Sequence, residues 1–368
     1  MKFTVEREAL FNSLQKIQSV VEKKNTIQIL GNILCVSNEN SISLSATDLE
    51  VGIKLVINAK IEQEGKITLS AKHFFEIARE LPNKPLHVIK KDNNWIEITC
   101  EKSRFNIVSL PADDYPALPI FEEKKYIDAR SEALVNMIDK TQFAISTDAT
   151  RYHLNGVYFE NIENNVMRMT ATDGHRLSFV DMEVFTGNPD LKRGIIIPKK
   201  GLYEIRKFLS ESGSTIGLSF EKGYIFIKNN SSYLFVRLID AEYPDYKLVI
   251  PQNMDKLIKI ETEVFNSALK RVSLLANEKS RGIRFVFQNN VLTISSSNPD
   301  MGEAREEMDI SYSGESLDIG FNFKYFLELL AVTKADSLEF NLKDRLSPGL
   351  IRGSSEQNHT YVIMPMRI

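Results

Sequence analysis

The residues best placed to do chemistry are Asp173 and His175, two positions apart around Gly174. A carboxylate that orients an imidazole, with a serine brought in from elsewhere, is the raw material of nucleophilic catalysis. The sequence offers little to complete such a site. It has no G-x-S-x-G elbow, no Walker A loop and no G-x-G-x-x-G turn. Its histidines (His73, His87, His153, His175 and His359) are scattered, with no H-E-x-x-H or paired metal spacing. Glu122-Glu123 and Glu306-Glu307 read as solvated charge runs. Asp173-Gly174 also reads as a plain hairpin turn, because that dipeptide favours the turn conformation. An enzyme is therefore not expected, and neither a cofactor nor a metal is implied.

Composition places the chain among folded globular proteins. It has 368 residues, 43% hydrophobic and 26% charged, enough apolar surface for more than one core. Charges in the first residues leave no room for a secretory h-region, and no apolar stretch approaches the ~20 residues that cross a bilayer. Cys35 and Cys100 lack CxxC spacing and read as small buried residues. A cytoplasmic protein with no membrane partner is expected. The net charge of −3, taken alone, argues against a nucleic-acid binder.

The chain repeats itself three times. A short strand and an amphipathic helix open each repeat, at residues 2–5 and 6–21, 125–129 and 131–145, and 257–261 and 262–276. A second strand and helix follow at residues 67–81, 195–209 and 317–332. Ser45-Ala46-Thr47-Asp48, Thr170-Ala171-Thr172-Asp173 and Ser296-Ser297-Asn298-Pro299 end a strand at matching places. Val108-Ser109-Leu110, Val236-Arg237-Leu238 and Val362-Ile363-Met364 close the repeats, and Asp114-Tyr115-Pro116 and Glu242-Tyr243-Pro244 follow the first two. Short alternating strands fill the intervals. The expected class is α+β, with two helices packed on antiparallel sheets in each of three domains, 1–124, 125–252 and 253–368.

This triplicated pattern resembles the bacterial DNA sliding clamps, the beta subunits of the replicative polymerase. Similar to family motifs are the N-terminal Met1-Lys2-Phe3-Thr4-Val5, Ile29-Leu30-Gly31-Asn32, Arg151-Tyr152-His153-Leu154-Asn155-Gly156, Ala171-Thr172-Asp173-Gly174-His175-Arg176-Leu177, Tyr243-Pro244-Asp245-Tyr246, Asn277-Glu278-Lys279 and the ending Val362-Ile363-Met364-Pro365-Met366-Arg367-Ile368. The resemblance spans the whole chain. It implies a non-enzymatic processivity factor: a head-to-tail homodimer whose six domains form a ring, sheet outside and helices inside. The ring would encircle duplex DNA irrespective of sequence and tether the replicative polymerase, the clamp loader and repair polymerases. A DNA-independent interaction scaffold is the alternative.

The resemblance also carries sites across. A partner-peptide cleft between the second and third domains would be built from Leu154, Thr172, Gly174, His175, Arg176, Leu177, Pro244, Val249, Asn322, Tyr325, Leu346, Val362, Met364, Pro365, Met366 and Arg367. Leucine and valine would wall it, methionine would adapt to varied anchors, and His175 and Arg176 would supply hydrogen bonds at its rim. Met364-Pro365-Met366 also reads as a terminal strand sealing a core. Leu248 stands where the family often has arginine and Ser280 where it has an aromatic residue, which implies a shifted peptide preference. DNA would meet Lys24, Lys72, Arg79, Lys199 and Lys200 on the inner helices and a tip at Arg151, Tyr152 and His153, beside which stands Asp148. The dimer would join Lys102, Arg104, Phe105 and Ile107 of one copy to Leu274, Leu275, Glu303 and Glu306 of the other. Strand alternation equally lets Phe105 and Ile107 face their own core.

Size and charge both permit the ring. At ~10 Å per packed helix, the twelve helices of a dimer enclose an opening of about 28 Å, against about 20 Å for a DNA duplex. A ring held by topology needs only a modest basic lining, since tight phosphate contacts would hinder sliding. The expected inner helices offer a mixed one, with Lys16, Lys140, Arg206, Lys207, Lys270, Arg271 and Lys324 beside Glu76, Glu80 and Glu204.

Overall fold

The computed structural model describes residues 1–21, 27–119, 121, 124–163, 165–187, 189, 191, 193–210 and 213–367. Among them lie six α-helices: α1 (Arg7–Ile17), α2 (Ala71–Glu80), α3 (Ser131–Thr141), α4 (Lys199–Ser210), α5 (Thr262–Ser273) and α6 (Phe323–Leu330). Each follows directly on a strand: Lys2–Val5, Lys66–Ser70, Ile127–Arg130, Ile195–Pro198, Lys256–Glu261 and Leu317–Asn322. Side chains mark some of these starts. Ser70 Oγ accepts from His73 N, and Asn322 Oδ1 accepts from Lys324 N. Apolar spacing gives each helix one buried face, such as Leu10, Leu14 and Ile17 on α1 and Phe265, Ala268, Leu269 and Val272 on α5.

Several of the expected helices end early, α5 at Ser273 among them. α1 stops at Ile17 and continues as a turn in which Val20 and Val21 both donate to the Ile17 carbonyl. α3 stops at Thr141, whose hydroxyl bonds back to Met137 O at 2.7 Å, and a short 3₁₀ turn takes over.

The chain gathers into two compact units: residues 1–132, 185–190 and 200–238, and residues 133–184, 191–199 and 239–368. The first holds two antiparallel sheets. One is five-stranded and ends at the edge strand Ser103–Val108. The other is eight-stranded, and at its middle Ser232–Arg237 of the second repeat pairs with Val51–Asn58 of the first. The second unit repeats the scheme. Its eight-stranded sheet joins Glu356–Ile363 of the third repeat to Arg176–Glu183 of the second, and its four-stranded sheet ends at the edge strand Gly302–Asp309.

The two inter-repeat ladders match rung for rung. Val51 faces Val236 and Gly52 faces Phe235, as Arg176 faces Ile363 and Leu177 faces Val362. The ladder thus equates Val236 with Ile363, one residue beyond the Val362 that motif matching selects. Aromatic residues fill the interiors: Phe265, Phe285, Phe321, Phe326 and Phe340 interlock in the second unit, while Phe121, between the first two repeats, is buried against Phe226, Tyr233 and Phe235 in the first. Cys35 and Cys100 are buried free thiols, and burial raises both above the ordinary thiol range.

Candidate peptide groove, basic faces and open strand edges

The turn from Thr172 to Arg176 is built by its own side chains. Thr172 Oγ1 donates to Arg176 O at 2.6 Å, and Asp173 Oδ1 accepts from His175 N at 2.9 Å and Arg176 N at 3.1 Å. Gly174 sits at φ +89°, the left-handed region that glycine enters without a steric penalty. Arg176 then runs inward. Its guanidinium meets Asp173 Oδ2 at 3.1 Å, pairs with Glu328, and donates to Phe143 O at 2.6 Å. It also stacks 4.4 Å above the Tyr325 ring. Arg176 is 7% exposed. It is therefore not the rim donor expected from the sequence but a buried tie between the hairpin and α6.

Over this hairpin the C-terminal segment is laced down. Met364 N donates to His175 O and Met366 N to Gly320 O, both at 2.9 Å. Beside it opens a groove of about 540 Å³ lined by Leu248, Val249, Ile250, Pro251, Pro348 and Met364, together with Lys247 and Gln252. Of the sequence-selected cleft residues, Leu154, Leu177 and Val362 are buried in the core beneath, packed with Phe179, Ile196, Tyr243 and Tyr246. They support the groove without lining it. Val249, Leu346 and Met364 are exposed apolar side chains, while Gly174, His175, Pro244 and Arg367 are exposed and Thr172, Asn322, Tyr325, Pro365 and Met366 half-buried. Asn322 is occupied in capping α6. The sequence flagged Leu248 as a departure only; at 83% exposure it is the groove's most prominent apolar side chain.

The raw materials for catalysis are committed elsewhere. Asp173 is spent on the turn and on Arg176. A serine–histidine pair that the sequence did not reveal, Ser178 Oγ and His359 Nε2, lies 3.0 Å apart, with Ser178 0% and His359 3% exposed. Ser178 gives its single hydroxyl proton to Lys140 O at 2.6 Å, so His359 Nε2 is the donor of the pair. That is the reverse of nucleophile activation.

Burial, reinforced by nearby Lys140, pushes the His359 imidazole down from 6.5 to about 4. A histidine with a depressed folded pKa destabilises the fold as pH drops below its unfolded value, because only the unfolded chain takes up the proton. Stability should therefore decline by about 1.4 kcal/mol per pH unit between roughly pH 6.5 and 4. In H359Q that slope should flatten, which urea midpoints measured across this range will show; an unchanged slope would assign the acid sensitivity to other groups.

The basic residues divide by what holds them. Lys72 and Arg79 lie seven apart on one exposed face of α2, where Arg79 Nε meets Glu80 Oε1 at 2.8 Å. Lys199 is exposed at the start of α4, whereas Lys200 is paired with the buried carboxylate of Asp48 and is held by the fold. Lys207 is likewise engaged, donating to Ser19 Oγ at 2.7 Å and Lys16 O at 3.1 Å. Lys140, expected in the basic lining of the inner helices, is 5% exposed and bonds Glu356 Oε1 at 2.8 Å. At the 149–154 turn, Arg151 Nε lies 3.3 Å from Asp148 Oδ2, so the carboxylate partly neutralises the tip, while Tyr152 remains exposed against His153. Lys24 lies outside the described residues.

Two of the sheet edges carry the residues expected at the dimer contact. On Ser103–Val108, Phe105 and Ile107 are half-buried and alternate with exposed Arg104; Lys102, just before the strand, is exposed. Arg104 pairs with Glu97. On Gly302–Asp309, Glu303 is exposed but Glu306 is taken by Arg271, whose Nε lies 3.0 Å away. Leu274 is 74% exposed beside half-buried Leu275.

Set beside known proteins, the chain matches family models along its length. The DNA polymerase III beta subunit N-terminal domain matches residues 1–119, the central domain 129–245 and the C-terminal domain 247–367. The chain belongs to the DNA polymerase III beta subunit family. It is 34% identical to the beta sliding clamp of Pseudomonas aeruginosa over the full length of both. It matches the crystal structure of the Caulobacter crescentus beta sliding clamp at TM-score 0.95 and 35% identity, and that of the Bartonella birtlesii sliding clamp bound to griselimycin at 0.94 and 35%, each over the whole of both chains. Its fold is that of the three-domain sliding clamps.

Within this clamp fold, the two sequence departures take definite places. Leu248 faces the groove, while Ser280 is exposed in a turn where Asn277 Oδ1 accepts from the Ser280 and Lys279 amides at 3.0 Å.

Proposed function

We propose that this chain acts as its relatives are named, as a DNA sliding clamp: two copies close head to tail into a six-domain ring around duplex DNA and confer processivity on the replicative polymerase. The role is not catalytic; it consists of staying on the duplex and holding partners there, in the cytoplasm at the nucleoid. The observation that carries the ring is the repeat pairing. Twice within the chain, the last strand of one repeat pairs antiparallel with the strand after the Thr-Asp turn of the preceding repeat. The unused equivalents of those two strands are Ser103–Val108 and Gly302–Asp309, both sheet edges. A second copy supplies the missing partner to each by the same pairing, and the heterologous contact closes after two chains. Exposed Leu274 supports the contact with apolar area, and Glu303 faces a partner that offers Lys102 and Arg104.

Lys72, Arg79 and Lys199 are the basic residues that this reading turns toward DNA. The 540 Å³ groove receives a short apolar segment of the polymerase, loader and repair polymerases, with Val249, Met364 and Leu248 as its walls. That the clamp of Bartonella birtlesii binds griselimycin supports a ligand groove in this fold.

Sedimentation tests the ring first. The chain should run at twice its 42.0 kDa mass, and L274R should shift it toward monomer by placing a charge in the apolar contact. A wild-type chain that remains monomeric at micromolar concentration would contradict the ring.

A further inference from the structure

The three strands that enter the inter-repeat pairing are each eight residues long: Val51–Asn58, Arg176–Glu183 and Gly302–Asp309. Their first residues therefore correspond, and so do the residues just before them, Glu50, His175 and Met301. Face alternation agrees, since Ile53 and Ala304 stand opposite the buried Ala46 and Ser296. The receiving strands correspond too. Ser103–Val108 and Ser232–Arg237 have six residues each, and their hairpins end on matching rungs, Trp95 facing Val108 and Tyr224 facing Arg237. At the end of the first inter-repeat ladder Arg237 N donates to Glu50 O at 2.7 Å, and at the end of the second Met364 N donates to His175 O at 2.9 Å. The same register, carried to the contact between copies, sets Ile107 opposite Gly302 of the second copy and Val108 opposite Met301 of the second copy.

The residues at that corner are apolar and uncovered. Val108 is 60% exposed, Trp95 45% and Met301 57%. Alternation turns Trp95 and Val108 to the sheet face away from the buried Ile96 and Ile98, so core packing does not account for them. We propose that Trp95 and Val108 of one copy clasp Met301 of the other, an apolar contact at the end of each intersubunit ladder. Directly opposed residues of an antiparallel pair share a face and touch through their side chains. A methionine suits the place, because its flexible thioether fills irregular space and packs well against an aromatic ring. Leu274 follows α5 and serves the helix side of the seam; the clasp serves the opposite face. This rests on the head-to-tail ring proposed above.

Trp95 is the only tryptophan of the chain, so its fluorescence reads the clasp directly. Followed by sedimentation and fluorescence on the same full-length sample, the dimer should emit to the blue of the monomer, obtained by dilution or as L274R. M301D should raise the dimer dissociation constant about tenfold or more, because it sets a charge where an apolar side chain is covered, while M301L should keep it within about threefold of wild type. Under oxidation, V108C combined with M301C should link two copies covalently, since facing strand residues lie within disulfide reach; V108C combined with R305C should not. Equal emission from dimer and monomer, an unchanged affinity in M301D, or a link through position 305 in preference to 301 would each overturn the clasp and leave the ring standing. A wild-type chain that stays monomeric would overturn both.

Discussion

Replacing Arg176 with alanine should cost about 3–5 kcal/mol of stability, the usual consequence of removing one partner from a buried ion pair. The loss is large because Arg176 serves four neighbours at once: the Asp173 and Glu328 carboxylates, the Phe143 carbonyl and the Tyr325 ring. Without it the carbonyl loses its donor, Asp173 loses its cation, and Glu328 keeps only Lys324, 3.7 Å away. Lysine should recover only part of the loss, since an ammonium cannot reproduce the planar fork that reaches all of these groups. Urea denaturation of R176A and R176K reads both values, and a loss below about 1 kcal/mol in R176A would show that the buried tie is not what fixes the hairpin.

Deleting residues 364–368 should weaken griselimycin binding about 100-fold or more while leaving the dimer intact. Met364 is an exposed wall of the groove, and covering a methionine side chain is worth about 1.5–3 kcal/mol, or one to two decades of affinity. The deletion also removes the Met364 and Met366 amides that hold the segment to His175 O and Gly320 O, so the groove loses shape as well as surface. The edges proposed for dimerisation, 103–108 and 302–309, share no residue with it. Calorimetry with sedimentation on the same sample separates the effects; full retention of affinity would place the docking site elsewhere.

Local chemistry made much of the fold legible. The six strand-to-helix steps could be read because apolar spacing switches from two to three-and-a-half residues at Val5, Ser70, Arg130, Pro198, Glu261 and Asn322. Helix ends were less legible: Val21 continues the apolar period of α1 even though the backbone has already turned after Ile17. What the sequence could not show is who pairs with whom. Lys140 and Glu356 are 216 positions apart, and Lys200 and Asp48 face each other from different repeats, so both lysines read as part of a basic lining. The groove was legible as a neighbourhood, yet Leu154, Leu177 and Val362 proved to be its foundation, because strand alternation says which side chains share a face but not which face is covered.

The most direct test of a clamp is whether it responds to DNA ends. Loaded by its loader onto a nicked circular plasmid and separated by gel filtration, the chain should remain with the DNA. It should then be released when a single restriction cut linearises the circle, with no dependence on the sequence at the cut. Retention on the linear product, or failure to stay on the intact circle, would contradict topological encirclement and favour a scaffold that works without DNA.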